Sequence, residues 1–219
     1  MDKIAFLRSI SLFAGLDESV VEELSQHVFE KQLKRGDVVI NEGGRATALY
    51  FVGEGAMKVY RTSPEGKEQA FGIIRPRDFF NETLLDNGPA KATAEALGIV
   101  LLYGIQKANL RSMVRQYPKM AGNMINILSR RVHSLVLLVE DLSFRAVSSR
   151  VAKILVENAQ GADGARLTHR DMAAIAGTAR EVVSRSLGYL DDCGFIELRR
   201  HQIVVKDING LKELADLNL

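Results

Sequence analysis

Cysteine is nearly absent from this chain of 219 residues, and its scarcity excludes two classes of protein. The single cysteine, Cys193, cannot form a disulfide within the chain, which is expected of a protein in the reducing cytoplasm. An iron–sulfur cluster is excluded as well, because such a cluster needs about four thiolates.

Long hydrophobic runs and a strong net charge are also missing. No segment approaches the ~18 consecutive apolar residues of a membrane span, and residues 1–4 lack the apolar core of a secretory signal. We therefore expect a cytoplasmic protein with no membrane partner. The 29 basic and 27 acidic residues leave a net charge of +2, so a nucleic-acid partner has to be argued from the local placement of arginines.

Histidine is missing between residues 28 and 105, where short apolar runs alternate with glycine-containing turns. This texture predicts an antiparallel sandwich or jelly roll, between short helices over 4–27 and a helix over 106–117. The expected strands include 38–40, 49–52, 57–60, 70–74 and 99–103. A jelly-roll metalloenzyme needs about three converging histidines or carboxylates. Because histidine is lacking, and no Ser/His/Asp or Cys/His arrangement has catalytic spacing, we predict no enzyme.

What the chain does have is a helix-turn-helix pattern over residues 168–190. Thr168 and Asp171 can cap a first helix, and Thr178 and Glu181 can form a capping box for a second. Gly177 relieves the backbone at the corner between the two helices. Small and apolar residues supply an inner face at which the helices can cross closely: Ala173, Ala174, Ile175, Val182, Val183, Leu187 and Leu190.

The second helix presents four polar side chains on one side: Arg180, Glu181, Ser184 and Arg185. An arginine can donate two hydrogen bonds to guanine, and a glutamate can accept one from cytosine. Phosphate binding alone gives no role to an acidic residue here, so this face predicts base reading in double-stranded DNA. The alternative is that Glu181 only caps its helix and pairs with Arg185 on a solvated surface.

A basic β-hairpin follows the second helix. Gly194 can end the helix, and residues 195–198 and 202–205 alternate around Arg199, Arg200 and His201. These tip residues can meet DNA phosphates, as the wing of a winged helix does. Basic hairpin tips are also common as solubility features.

Residues 118–142 predict a long helix with a heptad seam. Apolar residues recur at spacings of four and three for about three heptads, at Ala121, Ile125, Leu128, Val132, Leu135, Val139 and Leu142. No other segment has this character, so a parallel homodimer is the simplest solution; the alternative is that the helix packs on its own sheet. A homodimer would hold two recognition helices about one turn of DNA apart and read a palindrome.

The order of these elements predicts an α+β protein in three parts. An N-terminal antiparallel β-roll is expected over 1–117, a coiled-coil dimerisation helix over 118–142, and a C-terminal winged helix-turn-helix over 143–219. Within the last part we expect a hinge at 143–145, a helix near 146–159 and a polar loop at 160–165.

This order resembles the CRP/FNR superfamily of bacterial transcription regulators, whose sensor is a cyclic-nucleotide-binding-like jelly roll. The most specific stretches are Gly-Thr-x-Arg-Glu-x-x-Ser-Arg at 177–185 and Asp-x-x-Gly-Phe-Ile at 191–196. The resemblance implies a homodimer that responds to an effector, with RNA polymerase as a further partner if it activates. It also implies a half-site with a TTG- or TGTGA-like core.

The resemblance assigns roles to the DNA-facing residues. Residues that match Arg180, Glu181 and Arg185 contact bases in the family, and we place Ser184 with them, although its counterpart lies near the DNA backbone. Contacts to the DNA backbone are expected from the helix-turn-helix and the wing, through Thr168, His169, Arg170, Thr178, Arg199 and Arg200.

The sensor departs from the members that bind cyclic AMP. Their phosphate cassette resembles Gly-Glu-Leu followed by Arg-Ser-Ala, whereas this chain has Asn81-Glu82-Thr83 and Ala90-Lys91-Ala92. A buried phosphodiester needs a charge-assisted partner, and Lys91 would point to the opposite face of its strand. Leu135 and Val136 replace the polar residues that meet the purine. We therefore predict no productive binding of cyclic AMP or cyclic GMP.

What remains is a chamber with apolar walls, suited to a small-molecule or gas effector. The family includes haem-based sensors of nitric oxide and carbon monoxide, so haem is a candidate cofactor, and it would need an axial ligand. The candidate effector residues are Glu82, Leu135, Val136, His133 and His27, although a lone histidine is more often a surface or core residue. A ligand-binding adaptor without DNA activity is the competing class, and the base-reading face argues against it.

Overall fold

The computed structural model describes residues 2–45, 47–82, 88–160, 167–200 and 202–216, and the chain divides into two compact units. The first unit comprises residues 1–59 and 73–135, and the second comprises residues 60–72 and 136–219. The predicted three-part division at 117 and 142 stays a prediction.

The first unit opens with short helices, as the sequence predicts. They are α1 (Lys3–Arg8), a 3-10 turn (Ser11–Phe13) and α2 (Glu18–Ser25). Their apolar side chains join those of the sheet that follows in one buried cluster.

The strands form two four-stranded sheets in the described residues. These strands are β1 (Val28–Leu33), β2 (Val38–Ile40), β3 (Ala48–Glu54), β4 (Met57–Thr62), β5 (Glu68–Ile74), β6 (Phe79–Phe80), β7 (Thr93–Ala96) and β8 (Val100–Gln106). The sheet orders are β1-β8-β3-β6 and β2-β7-β4-β5. The β-roll is thereby confirmed, but β1, β6 and β7 were not among the expected strands. The middle of β1, residues 30–32, is charged or polar and exposed, so it carries no alternation of apolar residues.

Strand β3 contributes side chains to two hydrophobic clusters, one on each side of its sheet. Leu49 and Phe51 point into the cluster shared with the N-terminal helices, while Tyr50 and Val52 point into a second cluster. Successive side chains of a strand face opposite sides. Because both sides are covered, β3 is apolar almost throughout, where a strand with one solvated face would alternate.

Two helices follow β8: α3 (Lys107–Gln116) and α4 (Pro118–Phe144). Pro118 occupies the first position of α4, where its missing N–H is not needed. Met120, Met124 and Ile127 are buried in the first core at a spacing of one turn each. The seam residues Ile125, Val132, Leu135 and Val139 are exposed, and Leu128 and Leu142 are half-buried. The α4 residues buried in the chain's own core are therefore not those of the predicted seam, although Leu128 of the seam packs against that core.

The expected hinge at 143–145 is wrong in part. Helix α4 continues to Phe144, so only Arg145 and Ala146 separate it from the next helix. Asp141, one turn before the helix end, forms an ion pair of 2.9 Å with Arg145, and this pair helps to hold the last turn.

The second unit contains the remaining elements. They are α5 (Val147–Gln160), α6 (His169–Ala176), α7 (Arg180–Asp192), β9 (Ile196–Arg199), β10 (Gln202–Val205) and α8 (Ile208–Asp216). Helices α5 to α8 and strand β9 share one apolar core. Helix α8 was not predicted, and the predicted loop at 160–165 lies almost wholly outside the described residues. No helix in the described ranges has the length and apolar character needed to cross a membrane.

Candidate nucleic-acid interface

The first helix of the pair, α6, begins with the predicted cap, which takes the form of a capping box. The Asp171 backbone N–H donates to Thr168 Oγ1 at 3.2 Å, and the Thr168 backbone N–H donates to Asp171 Oδ2 at 2.9 Å. Two backbone donors that have no partner inside the helix are thereby satisfied. Asp171 is buried. The Thr168 N–H and the positive end of the helix dipole stabilise its negative charge.

Gly177 forms the corner between α6 and α7, as predicted. Its φ of +64° lies in the left-handed region, and the following N–H of Thr178 donates to Ala173 O at 3.0 Å. A Cβ at this position would lie 2.5 Å from Leu142 Cδ2. The backbone conformation therefore favours glycine here, and an added Cβ would also have to push aside the ends of the Leu142 and Gln69 side chains.

The predicted capping box of the second helix is wrong. Helix α7 begins at Arg180, and its N-cap is Ala179, which has no side chain that could cap it. The helix thus starts one residue later than a Thr178 cap requires. Glu181 lies in the first turn, where the helix dipole favours its charge, but it makes no capping bond.

Helix α7 separates its buried and exposed residues cleanly. Val183, Ser186, Leu187 and Leu190 are buried. The predicted base-reading residues are all exposed: Arg180, Glu181, Ser184 and Arg185. In the part of the chain that the structure describes, no hydrogen bond or ion pair joins Glu181 to Arg185, so the pairing alternative is not what the structure shows.

The neighbouring helix positions one member of this face. His169 Nδ1 lies 3.1 Å from Ser184 Oγ, which links the start of α6 to the middle of α7. The arrangement offers guanidinium donors on either side of a carboxylate acceptor, which is the donor and acceptor set needed to distinguish base edges in a major groove.

Two of the predicted phosphate-binding arginines are held by carboxylates. Arg170 lies 2.6 Å from Glu68 Oε1, and Arg199 donates twice to Glu197, at 2.8 and 3.0 Å. Hydrogen bonds from Arg199 and Lys206 lower the pKa of Glu197 to about 2, so this carboxylate is charged in ordinary buffers. The positive charge of each of these guanidiniums is therefore partly neutralised by a carboxylate in the single chain.

The remaining backbone candidates are placed differently. Thr168 and Arg200 are exposed, Thr178 is half-buried, and His201 lies outside the described residues.

The wing is confirmed as an antiparallel hairpin. Helix α7 ends in a Schellman motif, in which Gly194 has a φ of +77° and Phe195 N donates to Leu190 O at 3.0 Å. Ile196 pairs with Val205 and Arg199 with Gln202, and Arg200 follows the last paired residue of the first strand.

Sequence reasoning missed Arg150, which ties the helix ends of this unit together. It donates to Ala176 O at 2.8 Å, to Arg145 O at 2.5 Å and to Asp141 O at 3.3 Å. Carbonyls at a helix end lack partners within the helix, so one half-buried guanidinium satisfies the ends of both α4 and α6. Burial lowers the pKa of Arg150, and the charge of Asp141 opposes that shift. A half-apolar helix with one arginine in its first turn carries no local signal for this role.

Only one of the predicted effector residues, Glu82, is even partly buried. Glu82 is half-buried and lies 3.4 Å from Arg131 Nε, whose guanidinium also contacts Asp78 at 2.9 Å. His27, His133, Leu135 and Val136 are exposed. Haem iron needs an axial ligand, and both candidate histidines lie on the surface of the single chain, so these residues do not fit haem.

A cleft of about 380 Å³ was not predicted, and none of the predicted effector residues lines it. Its lining combines an apolar floor with arginines and hydroxyls: Ile10, Ser11, Pro76, Arg77, Asp78, Phe79, Ile127, Arg130, Arg131 and Ser134. Arg77 has a φ of +73°, uncommon for a residue with a Cβ. Residues 83–87, in the stretch that matches the phosphate cassette, lie outside the described ranges.

Two protein-family models match the chain. A cyclic nucleotide-binding domain covers residues 30–117, and a Crp-like helix-turn-helix domain covers residues 149–214. The chain is 30% identical to the Cyclic AMP receptor protein of Thermus thermophilus, over 95% of this chain and 98% of that protein. It is 28% identical to the CRP-like cAMP-activated global transcriptional regulator of Mycobacterium tuberculosis, over 98% and 100%.

Solved structures agree on the fold. A transcriptional regulator of the CRP/FNR family from Eubacterium rectale matches with a TM-score of 0.81 at 22% identity, over 95% of this chain and 99% of that one. FixK2 from Bradyrhizobium japonicum matches with a TM-score of 0.74 at 23% identity, over 85% and 96%. The Mycobacterium tuberculosis and Eubacterium rectale relatives are named as transcriptional regulators.

Proposed function

Since the chain belongs to the CRP/FNR family of DNA-binding transcription regulators, we propose that it acts in the cytoplasm as a homodimer on a palindromic DNA site. The observation that carries the proposal is the exposed polar face of α7, where Arg180, Glu181 and Arg185 stand clear of the core. By the resemblance, the half-site contains a TTG- or TGTGA-like core, and Glu181 selects one of its base pairs.

The apolar stripe along α4 supports the homodimer. Ile125, Val132 and Val139 follow one another at intervals of seven residues, and all three are more than half exposed in the single chain. A seam of this period is what a parallel two-stranded coiled coil buries. Another face of α4 supplies the residues buried in the core of its own chain. The stripe is therefore available to pair with the same helix of a second protomer.

We propose further that the effector is not a cyclic nucleotide. Ala90, which stands at the place of the phosphate-binding arginine, is buried, and its backbone N–H donates to Gly44 O at 2.8 Å. Lys91 is exposed. No cation at position 90 is therefore available to the phosphodiester, and Glu82 is engaged by Arg131. A buried phosphate without a charge-assisted partner is strongly disfavoured.

The experiment begins with selection of duplexes from a random library by the full chain. Affinity for the selected site and for its single-base variants is then compared between wild type and Glu181→Ala. Loss of the carboxylate should cost about 1–3 kcal/mol at one base pair and relax the preference there. Glu213→Ala removes the same charge from an exposed position of α8 and should leave the preference unchanged. Failure to select any site would favour the adaptor class, and an unchanged preference in Glu181→Ala would refute its role.

A further inference from the structure

The hairpin formed by β4 and β5 reaches the helix-turn-helix. We call residues 60–72 the hairpin; they belong to the same compact unit as α6 and α7. Its tip is closed by hydrogen bonds from Ser63 N to Lys67 O at 2.8 Å and from Gly66 N to Ser63 O at 2.9 Å. The tip is thus an ordered turn that can hold side chains in place.

An apolar contact seats the hairpin on α6. Tyr60 and Ala70 are buried together with Ala174, and Ile175 packs against them. Ile175 also packs against the core that α5 to α8 share, so it links this small cluster to that core. It brings the polar residues of the hairpin to the start of α6 and to the corner.

Two charged contacts follow from that seating. Lys67 Nζ donates to Gly177 O, at the corner of the helix-turn-helix, at 3.2 Å. Glu68 Oε1 lies 2.6 Å from the Arg170 guanidinium. The Glu68 side chain is only 8% exposed, whereas that of Arg170 is 75% exposed, so the carboxylate is held in place and the arginine comes to it.

We propose that Glu68 competes with DNA for Arg170, and that the hairpin is thereby a built-in brake on DNA binding. The inference rests on the proposed function and on the expectation from the sequence that Arg170 contacts the DNA backbone. A carboxylate and a phosphate present the same pair of anionic oxygens to a guanidinium. Glu68 partly neutralises Arg170 and repels an approaching phosphate, so a DNA-bound protomer weakens the Glu68 contact or gains less from that phosphate.

The position of the hairpin gives the brake a route of control. Strands β4 and β5 are neighbours in a sheet of the β-roll, while the hairpin tip contacts α6 and the corner. A shift of these strands changes whether Glu68 reaches Arg170, and so changes the number of cations offered to the DNA backbone. The effect is independent of base sequence, because phosphate contacts carry none.

The test is a double-mutant cycle on the full chain with Glu68→Gln and Arg170→Gln. The probe is a fluorescein-labelled non-specific duplex of about three helical turns, with binding followed by anisotropy at low salt. Glu68→Gln should tighten binding about 2- to 5-fold per protomer, the range of an exposed ion pair. In the Arg170→Gln background the same change should have no effect, because the competitor has lost its target.

Glu65→Gln is the matched control. It removes one negative charge from the same turn, where the Glu65 carboxylate is held by Ser63 and is fully exposed. Unchanged affinity in this variant separates the contact from a general gain in positive charge. Equal tightening by Glu65→Gln and Glu68→Gln, or weaker binding by Glu68→Gln, would overturn the brake. If wild type binds neither this duplex nor a selected site, the proposed function fails instead.

Discussion

Replacing Val139 by lysine should separate the two protomers without unfolding either of them. The Val139 side chain is 62% exposed in the single chain and lies on the seam of α4. Its removal therefore disturbs little within the protomer, whereas the paired helix loses an apolar contact on both sides of the interface.

The magnitude follows from the area that the partner would cover. Full burial of a valine side chain contributes about 1.5–3 kcal/mol, so the exposed part of Val139 contributes about 1–2 kcal/mol per protomer. Both protomers carry the change, so the dimer loses about 2–4 kcal/mol. Each ~1.4 kcal/mol changes an equilibrium constant tenfold, so the dimer dissociation constant should rise roughly 30- to 700-fold. Two lysines facing each other add charge repulsion to this loss.

Sedimentation equilibrium over a range of protein concentrations measures the effect directly. The matched control is Leu137→Lys, which places the same charge on an exposed apolar residue, 41% exposed, on the same helix. Position 137 lies about 200° around the helix from both Leu135 and Val139, away from the seam. A thermal melt of each variant checks that the protomer stays folded. An intact Val139→Lys dimer, or equal dissociation in both variants, would refute the seam.

Two further predictions concern the corner and the wing. Gly177→Ala should destabilise the protein by at least about 1–2 kcal/mol, because alanine is strained at a φ of +64°. Gly188→Ala, in the open interior of α7 where no atom lies within 4 Å of the added Cβ, should stabilise it by about 0.5–1 kcal/mol in the same denaturant titrations; equal effects of the two changes would contradict the assigned corner. Arg199 and Lys206 lower the pKa of Glu197 from 4.5 to about 2, so the stabilising charge on Glu197 is fully present above pH 4.5 and is lost as the pH falls toward 2. Carboxyl NMR should place its titration midpoint near 2, and a midpoint near 4.5 would show that the wing pairs do not persist in solution.

The sequence by itself determined the features that depend on a few neighbouring residues. The Thr168–Asp171 cap and the left-handed glycines at 177 and 194 were all predicted and all form. Their geometry depends on backbone donors within one helical turn, so no distant residue can alter it. The same holds for the exposure of Glu181 and Arg185, since the period of α7 places Glu181 opposite Leu190 and Arg185 roughly opposite Leu187.

Prediction from the sequence was wrong or incomplete in two situations. In one, two neighbouring residues could each precede the start of a helix; in the other, a strand depended on a partner strand far away in the chain. Thr178 and Ala179 can each precede a helix, and the structure starts α7 after Ala179, so the second capping box does not form. Strand β1 has an exposed charged middle and belongs to the sheet only because β8 pairs with it along its length.

Only the tertiary structure decided which partners the charged residues have. Glu68 is 102 residues from Arg170 in the chain, and Arg150 reaches carbonyls at the ends of two helices. Nothing in the local pattern distinguishes these residues from solvated surface charges. An ion pair depends on the position of both groups, and that position is set by how the strands and helices pack, whereas a cap or a turn depends on the backbone beside it.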